Sequence, residues 1–434
     1  MINKNMNKKK LEIFELKSRF IFLIFSLIIF RIGSFIPIPG INIFNLKKLF
    51  EKQKGTIIEI FNIFSGGGLS RASIFSLGIM PYISASIIIQ LLSLTISYFS
   101  DLKKEGEYGK RKLNNYTSYM TLIIAIFQSI FFIISINNIN FIKNLVIKSG
   151  LYFYITTIIS LVSGTMFLMW LGEKITERGI GNGISTIIFA GIAAEIPKNI
   201  FNNIKYINII NMILLSIIIF FIIYFVVFIE YGQRRIFVSY AQNKKSHRFY
   251  SIKNTHLPLK INIAGVIPAI FASSIILFIT TIISWLKNFI FLDFLNIFLI
   301  YLKPNKILYI FLYIFFVIFF SFFYTKLIFS SRETADNLKK SGVFIPGIRP
   351  GEKTAKYLNL IINRLTFFGA IYIIFICLIP ELIKNIINIP FFFGGTSLLI
   401  VVVTIIDYLN QINTLLISNK YESILKKANI NFKK

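Results

Sequence analysis

The side chains that usually carry chemistry are sparse in this 434-residue chain. The single cysteine, Cys377, lies inside an apolar stretch, and the two histidines, His247 and His256, are nine residues apart without further ligand types nearby. Because a zinc site needs about four grouped ligands, no metal site is predicted. The sequence also has no phosphate-binding glycine loop, no nucleophile–base pair and no carboxylate pair in an apolar span. We expect neither enzymatic activity nor a cofactor, and we expect Cys377 to be a small core residue.

Residues 56–75, TIIEIFNIFSGGGLSRASIF, are unusual in a different way. They contain Glu59, Arg71 and three consecutive glycines, and they are too polar to span a bilayer. A short helix with a glycine hinge can re-enter a membrane protein from outside, because non-helical backbone at membrane depth is tolerated only beside protein or water. An extracellular loop with a surface helix explains the same residues. The pattern alone leaves both interpretations open.

A second distinctive segment runs from Ile345 to Gly351, IPGIRPG, and places Arg349 between two Pro-Gly steps. Such steps stiffen a loop and present the side chain between them. A guanidinium suits either a carboxylate or a phosphate of a partner. An ordinary solvated loop charge is the alternative interpretation.

The elements that position these residues are apolar. The chain is 55% hydrophobic and 16% aromatic, with a mean hydropathy of +0.72, which is far too apolar for a soluble domain. A bilayer-spanning helix needs about 20 mostly apolar residues. Ten stretches qualify: 20–36, 75–97, 116–136, 152–171, 184–200, 208–229, 262–285, 307–328, 366–382 and 393–412. The sequence therefore predicts an all-α polytopic membrane protein with ten transmembrane helices.

Charge placement predicts the orientation. With both termini on the cytoplasmic side, the inside segments carry 32 Lys and Arg residues and the outside segments carry 14, as the positive-inside rule requires. Part of the net charge of +29 has another explanation, since a bias toward Ile, Phe, Asn, Lys and Tyr is typical of AT-rich genes. The first 20 residues do not resemble a cleavable signal peptide, so the first span is expected to remain as an anchor.

The ten stretches divide five and five near residue 205. We expect an N-terminal half, residues 1–205, with spans 1–5, and a C-terminal half, residues 206–434, with spans 6–10 and long basic loops at 231–261 and 329–365. Halves with an odd number of spans have opposite topology, which indicates an inverted repeat with a pathway at the interface.

Several long segments resemble the SecY family, the channel subunits of bacterial protein export. They include GTMFLMWLGEKITERGIGNGIS from Gly164 to Ser185, FNIFSGGGLSRASIFSLGIMPYISASIIIQLL from Phe61 to Leu92, and SRETADNLKKSGVFIPGIRPGEKTAKY from Ser331 to Tyr357. Further matches are RIGSFIPIPG, THLPLKINIAGVIPAIFASSIILF and FGGTSLLIVVVTIIDYLNQ. They occur in the family's order and sample nearly the entire chain, whereas residues 198–212 and 286–306 diverge.

The resemblance implies a central pore between the halves, sealed by a re-entrant plug helix at about residues 56–75, the plug segment. Its residues carried over from the family are Phe61, Phe64, Gly66, Gly67, Gly68, Ser70 and Arg71. The family's ring of aliphatic pore residues corresponds to Ile79, Ile83, Ile184, Ile188, Ile270 and Ile400. Ordinary packing explains any one of these isoleucines equally well. A mid-membrane ring also requires the helix of Ile184 to begin deep below a cytoplasmic funnel.

The resemblance also implies a lateral gate that releases signal sequences and membrane spans into lipid. Ser84, Ser86 and Gln90 are candidates for its seam, although interhelical hydrogen bonding explains them as well. The basic loops would receive the motor ATPase SecA or the ribosome, with contact residues Arg349, Arg234, Arg235, Lys339 and Lys340. SecE-like and SecG-like small subunits would complete a heterotrimer in the bacterial cytoplasmic membrane, and its substrates would be unfolded preproteins.

A ten-span secondary transporter for a small solute is the competing interpretation. It predicts ionisable residues at mid-membrane as ion or proton sites. The interior charges that we identified, Arg31, Lys326 and Asp407, all lie near span ends and form no evident pair. The residues therefore favour the channel.

Overall fold

The structure is a computed structural model that describes residues 2–46, 62–137, 150–204, 209–240, 255–289, 299, 301–302, 306–387 and 394–431. Most of these residues are helical. The helices are α1 (Ile2–Gly33), α2 (Met80–Thr95), α3 (Ser97–Lys104), α4 (Glu107–Asn137), α5 (Leu151–Arg178), α6 (Gly183–Ile204), α7 (Ile209–Tyr231), α8 (Ile267–Phe289), α9 (Ile307–Ile328), α10 (Ser331–Lys340), α11 (Glu352–Ile387) and α12 (Gly395–Asn431). The strands are β1 (Gln233–Tyr240), β2 (Thr255–Lys260) and β3 (Val343–Phe344).

The predicted multi-pass helical fold is confirmed. Within the described residues, six helices are long and apolar enough to cross a membrane, and α2 with α3 makes a seventh if this pair, bent by 98°, forms one span. Two shorter apolar helices cover Gly183–Pro197 and Ile267–Ile283. Each of the ten predicted stretches overlaps a described helix, but the exact count of ten spans stays a prediction.

The second predicted span begins later than its hydropathy suggested. Residues 74–79 form turns, and the helix starts at Met80 with Pro81 in its first turn. The φ angle of Gly78 is +58°, a left-handed conformation that interrupts a helix and that glycine adopts without strain. Apolar composition extends beyond the helix because the turns before it are also buried.

The chain forms two compact units, which we describe separately. The first contains Met1–Tyr206, Leu277–Lys306 and Ile400–Lys434. Within it α5 packs on α1, α4 and α6, and α2 packs on α4. A buried apolar cluster joins the segment after α1 to the turns before α2 and to α4 and α5, through Ile38, Ile41, Leu46, Ala72, Leu77, Ile133, Phe153 and Leu161.

The second unit contains Ile207–Ile276 and Ile307–Leu399. Here α9 and α10 pack on α11. The predicted inverted five-span halves stay a prediction.

A small sheet in the second unit was not predicted. Its strand order is β2–β1–β3, and both pairs are antiparallel. It connects the two segments that the sequence indicated only as long basic loops. One face is apolar and packs on α11, with a core of Ile236, Val238, Leu259, Val343, Ile345, Leu358 and Ile362. These two segments are therefore joined through one sheet and one core.

Candidate functional site: a buried glycine-rich segment and an exposed basic loop

The described part of the plug segment, residues 62–75, folds into compact turns. A helical turn at residues 62–64 leads through turns at 65–68 to a 3₁₀ turn, Leu69–Arg71. Short polar side chains satisfy its backbone: the Leu69 amide donates to Ser65 Oγ at 3.2 Å, and the Ser70 amide donates to Asn62 Oδ1 at 2.8 Å. Residues 64–70 are buried, so these bonds replace water. Phe61 and Glu59 lie outside the described residues.

Two backbone hydrogen bonds attach the segment to the end of the first helix. The Ile38 amide donates to the Ala72 carbonyl at 2.7 Å, and the Ile74 amide donates to the Ile36 carbonyl at 3.0 Å. Pro37 and Ser73 form the antiparallel bridge between them. These bonds anchor the plug segment close to its C-terminal end, on the C-terminal side of its three glycines.

Glycine allows the segment to approach α6 closely. A Cβ added at Gly66 would lie 3.1 Å from the Gly191 Cα, and a Cβ on Gly191 would lie 3.0 Å from the Phe64 carbonyl oxygen. Both distances are shorter than ordinary carbon contacts. Gly67 has a φ of +78°, and a Cβ there would overlap the Glu195 carboxylate. Larger residues would therefore separate the segment from the helix.

A charged cluster lies at the same contact. Arg71 Nη2 is 3.8 Å from Glu195 Oε1, and the side chains are 22% and 5% exposed. The Arg71 guanidinium lies 4.1 Å from the Phe35 ring centroid, and that of Arg31 lies 4.6 Å from it. Arg31 Nη1 also donates to the Gly66 carbonyl at 3.3 Å. The contact thus contains two guanidinium groups over one aromatic ring and a carboxylate beside the Arg71 guanidinium.

Glu195 was not among the residues predicted from the sequence. It is a lone acidic residue inside the predicted span 184–200, and an ionisable residue within a span indicates a functional position. The sequence therefore contained this signal, although the interior charges named above were only Arg31, Lys326 and Asp407. Of these, Arg31 contributes to the plug contact, which its place near a span end did not predict.

The six predicted ring isoleucines are divided between the units. Ile79, Ile83, Ile184, Ile188 and Ile400 belong to the first unit and Ile270 to the second. All are buried except Ile184, which is half-buried. Ile79 caps the start of α2, one turn before Ile83, and Ile184 is the second residue of α6. The ring assignment stays a prediction.

Of the predicted gate residues, Ser86 and Gln90 lie one turn apart on the same face of α2, whereas Ser84 lies on the opposite face. Ser84, Ser86 and Gln90 alternate with buried residues and are themselves half-buried. Gln90 Nε2 donates to Ser86 Oγ at 3.1 Å within the same helix. Their contact with a lateral gate stays a prediction.

The predicted docking residues are all exposed and lie in the second unit. Arg349 follows β3 in a turn that contains Gly347 at φ +80° and Gly351 at φ +104°. The Thr354 hydroxyl donates to its carbonyl at 3.0 Å, so the backbone is fixed while the side chain is free to bind. Strand β1 carries Arg234 and Arg235, and the last turn of α10 carries Lys339 and Lys340.

No metal-binding group of three or more His, Cys, Asp or Glu residues occurs in the described ranges. His256 lies on β2 with its ring 4.5 Å from that of Phe237. His247 lies outside the described residues. Cys377 is buried on α11, and a Cβ added at Gly395 would lie 2.5 Å from its Cα.

The similarity to known proteins decides the family. The SecY family model matches residues 73–409. The chain belongs to the SecY family. It is 58% identical over 421 residues to the protein translocase subunit SecY of Escherichia coli strain K12, covering 96% of this chain and 95% of the relative. It is also 58% identical over 432 residues to that of Buchnera aphidicola from Acyrthosiphon pisum, covering 98% of each.

Solved structures agree on the fold of this SecY-family chain. One described as the structure of a protein conducting channel gives a TM-score of 0.67 at 17% identity and covers 93% of each chain. Canine Sec61 in a ribosome–channel complex gives 0.63 at 16% identity, again over 93% of each. At such identities the likeness shows the fold alone. The predicted family and fold are confirmed, and the secondary-transporter interpretation gains no support.

Proposed function

We propose that this chain is the central subunit of a protein-conducting channel in the bacterial cytoplasmic membrane, which translocates unfolded preproteins and inserts membrane proteins. The observation that carries this proposal is the 58% identity to a protein translocase subunit over 96% of the chain. The conduction of protein follows from the family. The plug, ring, gate and docking roles below are finer proposals.

In the resting channel, the plug segment and the aliphatic ring act together as the seal. A ring of isoleucine side chains excludes water when the pore is empty and closes around a chain that fills it. The supporting observation is that residues 64–70 are buried although they form only short turns and no continuous helix. Buried irregular backbone of this kind is tolerated at membrane depth because protein surrounds it.

Apolar segments leave sideways through a lateral gate between α2 and α4 on one side and α8 and α9 on the other. Gln90 supports this role for α2, because its Oε1 is buried and has no hydrogen-bond partner among the described residues. Polar groups at the interface between these helices lower the free-energy cost of separating them, compared with a fully apolar interface.

The chain supplies no energy of its own, since it is proposed not to be an enzyme. Translocation is driven by partners that bind the exposed basic surface around the sheet, namely SecA or the ribosome, with Arg349 at the contact. One structural relative is a yeast Ssh1 complex bound to the ribosome, which supports the ribosome as a partner of this chain. SecE-like and SecG-like subunits complete the complex, and both termini face the cytoplasm.

The test is ATP-dependent translocation. Inverted vesicles would be prepared from cells in which this chain replaces the resident channel subunit, and protease protection of a preprotein would be measured. Protection that needs both ATP and an intact signal sequence is the expected result. Vesicles with normal channel abundance but without such protection would overturn the proposal, and uptake of a small solute instead would revive the transporter interpretation.

A further inference from the structure

We propose that Glu195 is a positioning residue whose carboxylate pairs with Arg71 and holds the plug segment against α6, so that the pair sets how easily the channel opens. This inference rests on the proposed function, because it assigns a closing contact to the proposed plug. It concerns a residue on a predicted span rather than on the plug itself. We refer to the pair as the charge latch.

The contact is built for close approach rather than formed by two mobile side chains. Backbone meets backbone at Gly66 and Gly191, and Gly67 leaves the space that the Glu195 carboxylate occupies. Glu195 is 3% exposed and lies two residues before Pro197, the last residue of α6 whose side chain the structure describes. A carboxylate so far from water needs a compensating charge, and Arg71 supplies it at 3.8 Å.

The balance of charge at this contact gives Glu195 its importance. Arg31 and Arg71 both lie within 5 Å of the centroid of one ring, Phe35. They are like charges, and their repulsion favours separation of the segment from α1. The Glu195 carboxylate offsets part of that repulsion. If Glu195 becomes neutral, an attraction is lost and the repulsion between the guanidinium groups remains.

The same geometry makes the latch sensitive to water. The interaction between two charges weakens as the dielectric constant of their surroundings rises, and Arg71 keeps 22% of its side chain exposed. Entry of water beside a translocating chain would therefore weaken the pair. The Glu195–Arg71 pair would be strong in a dry, closed channel and weak in a channel that contains water.

The experiment measures the resting ion conductance of the purified complex in planar bilayers. Glu195→Gln keeps the shape of the side chain and removes its charge. We expect resting conductance to rise about tenfold, as a lost charge interaction shifts the closed–open population. Arg71→Gln should have a similar effect, and the double substitution should add little, because the two residues act as one unit. Arg71→Lys, which retains the charge, should have a smaller effect.

Glu230→Gln is the matched control. Glu230 is also a buried carboxylate, which accepts a hydrogen bond from Asn262 at 2.7 Å, but it belongs to the second unit. The resting conductance of the Glu230→Gln channel should match that of the wild-type channel. A parallel assay measures export of a preprotein with a defective signal sequence. The Glu195→Gln channel should export this preprotein several-fold better than the wild-type channel. A residue that only stabilised the fold would lower export of all preproteins.

The outcomes separate the latch from the proposed function. Wild-type conductance and signal dependence in an abundant Glu195→Gln channel would overturn the latch, as would effects of Glu195→Gln and Arg71→Gln that simply add. Deletion of residues 62–70 in the same assay tests the plug itself. Failure of the wild-type channel to translocate preproteins would overturn the proposed function instead.

Discussion

Two arginines of this chain lie in opposite environments. In the first unit, Arg71 is largely buried, 3.8 Å from a carboxylate and stacked over an aromatic ring. In the second unit, Arg349 is exposed on a turn that fixes its backbone and leaves its guanidinium to solvent. Changing the buried charge should affect the resting state of the molecule itself. Changing the exposed charge should affect only what the molecule can bind.

Glycine shows the same contrast. Gly67 and Gly347 have nearly equal φ angles, +78° and +80°. At Gly67 a Cβ would overlap the Glu195 carboxylate, whereas at Gly347 nothing lies within 4 Å. Both positions require a left-handed backbone. Only Gly67 must also lack a side chain, because a Cβ there would occupy the space of the Glu195 carboxylate.

The largest expected effect is at Arg349. Arg349→Glu should abolish motor-driven export, because an exposed cation that meets an anionic partner becomes repulsive. Reversal of a solvated loop charge normally changes the free energy of unfolding by no more than about 0.5 kcal/mol. The measurement is ATP-dependent translocation into vesicles, with thermal stability and channel abundance determined in parallel.

Arg349→Lys is the control for geometry. A lysine keeps the charge but not the planar, two-pronged donor, so it should impair export if the contact is bidentate. Normal export by the Arg349→Glu channel at normal abundance would remove this residue from the mechanism.

The next largest effect should be at Gly67. Gly67→Ala forces both a left-handed backbone and a clash with Glu195, so resting conductance should rise by about tenfold, a shift of roughly 1.4 kcal/mol in the closed state. Gly347→Ala imposes a similar backbone strain of about 1–2 kcal/mol without the clash. Its resting conductance should be unchanged. Equal conductances for both variants would contradict the close contact.

These two regions differ in how much of them could be predicted from sequence. Hydropathy located the helices, since long apolar stretches in lipid have few alternatives. The family resemblance predicted roles for the plug segment and for Arg349, and both roles stay predictions. It did not identify Glu195, because that residue acquires meaning only through its distance to Arg71, 124 positions away in the sequence.

The small sheet was missed for a related reason. Strand β1 pairs with β2 across 14 intervening residues and with β3 across more than 100. Its segments are short and interrupted by charged residues, and Pro258 lies in β2. Proline is confined to edge strands, and β2 is an edge of this sheet. Local patterns cannot reveal such non-local pairing, so the segments were interpreted only as basic loops.

The third prediction tests whether the sheet positions the docking surface. Leu358 is fully buried in the core between α11 and the sheet. Leu358→Ala should lower the free energy of unfolding by about 2–5 kcal/mol through the cavity that it leaves. We expect several-fold weaker export with unchanged resting conductance, whereas Leu360→Ala, at an exposed position, should leave both unchanged. A leaky Leu358→Ala channel would show that the two regions are not functionally separate.

A smaller effect is expected at the predicted ring. Ile188→Ser and Ile270→Ser should raise resting conductance a few-fold, because a hydroxyl in an aliphatic constriction favours its wetting. Ile217→Ser on α7, at an exposed position, is the control and should leave conductance unchanged. Similar conductance and stability at ring and control positions would contradict the ring assignment.

The smallest effect should be at Lys340, which ends α10 and is exposed. Lys340→Glu loses a favourable interaction with the helix C-terminus of about 0.3–1 kcal/mol, so a slight loss of thermal stability is expected. Export should fall by less than about twofold, because an exposed flexible charge contributes little to a specific contact.

Measuring export by the Lys340→Glu and Arg349→Glu channels at low and high salt makes the comparison decisive. If docking depends on the overall positive field, the Lys340→Glu and Arg349→Glu channels should lose export to a similar extent. Export by the wild-type channel should then also fall as the salt concentration rises, because screening shortens the range of interactions between exposed charges. If docking depends on the fixed guanidinium of Arg349, only Arg349→Glu should fail at every salt concentration. We expect the second result, because the Thr354 hydrogen bond and the two left-handed glycines hold only the Arg349 backbone in a defined position.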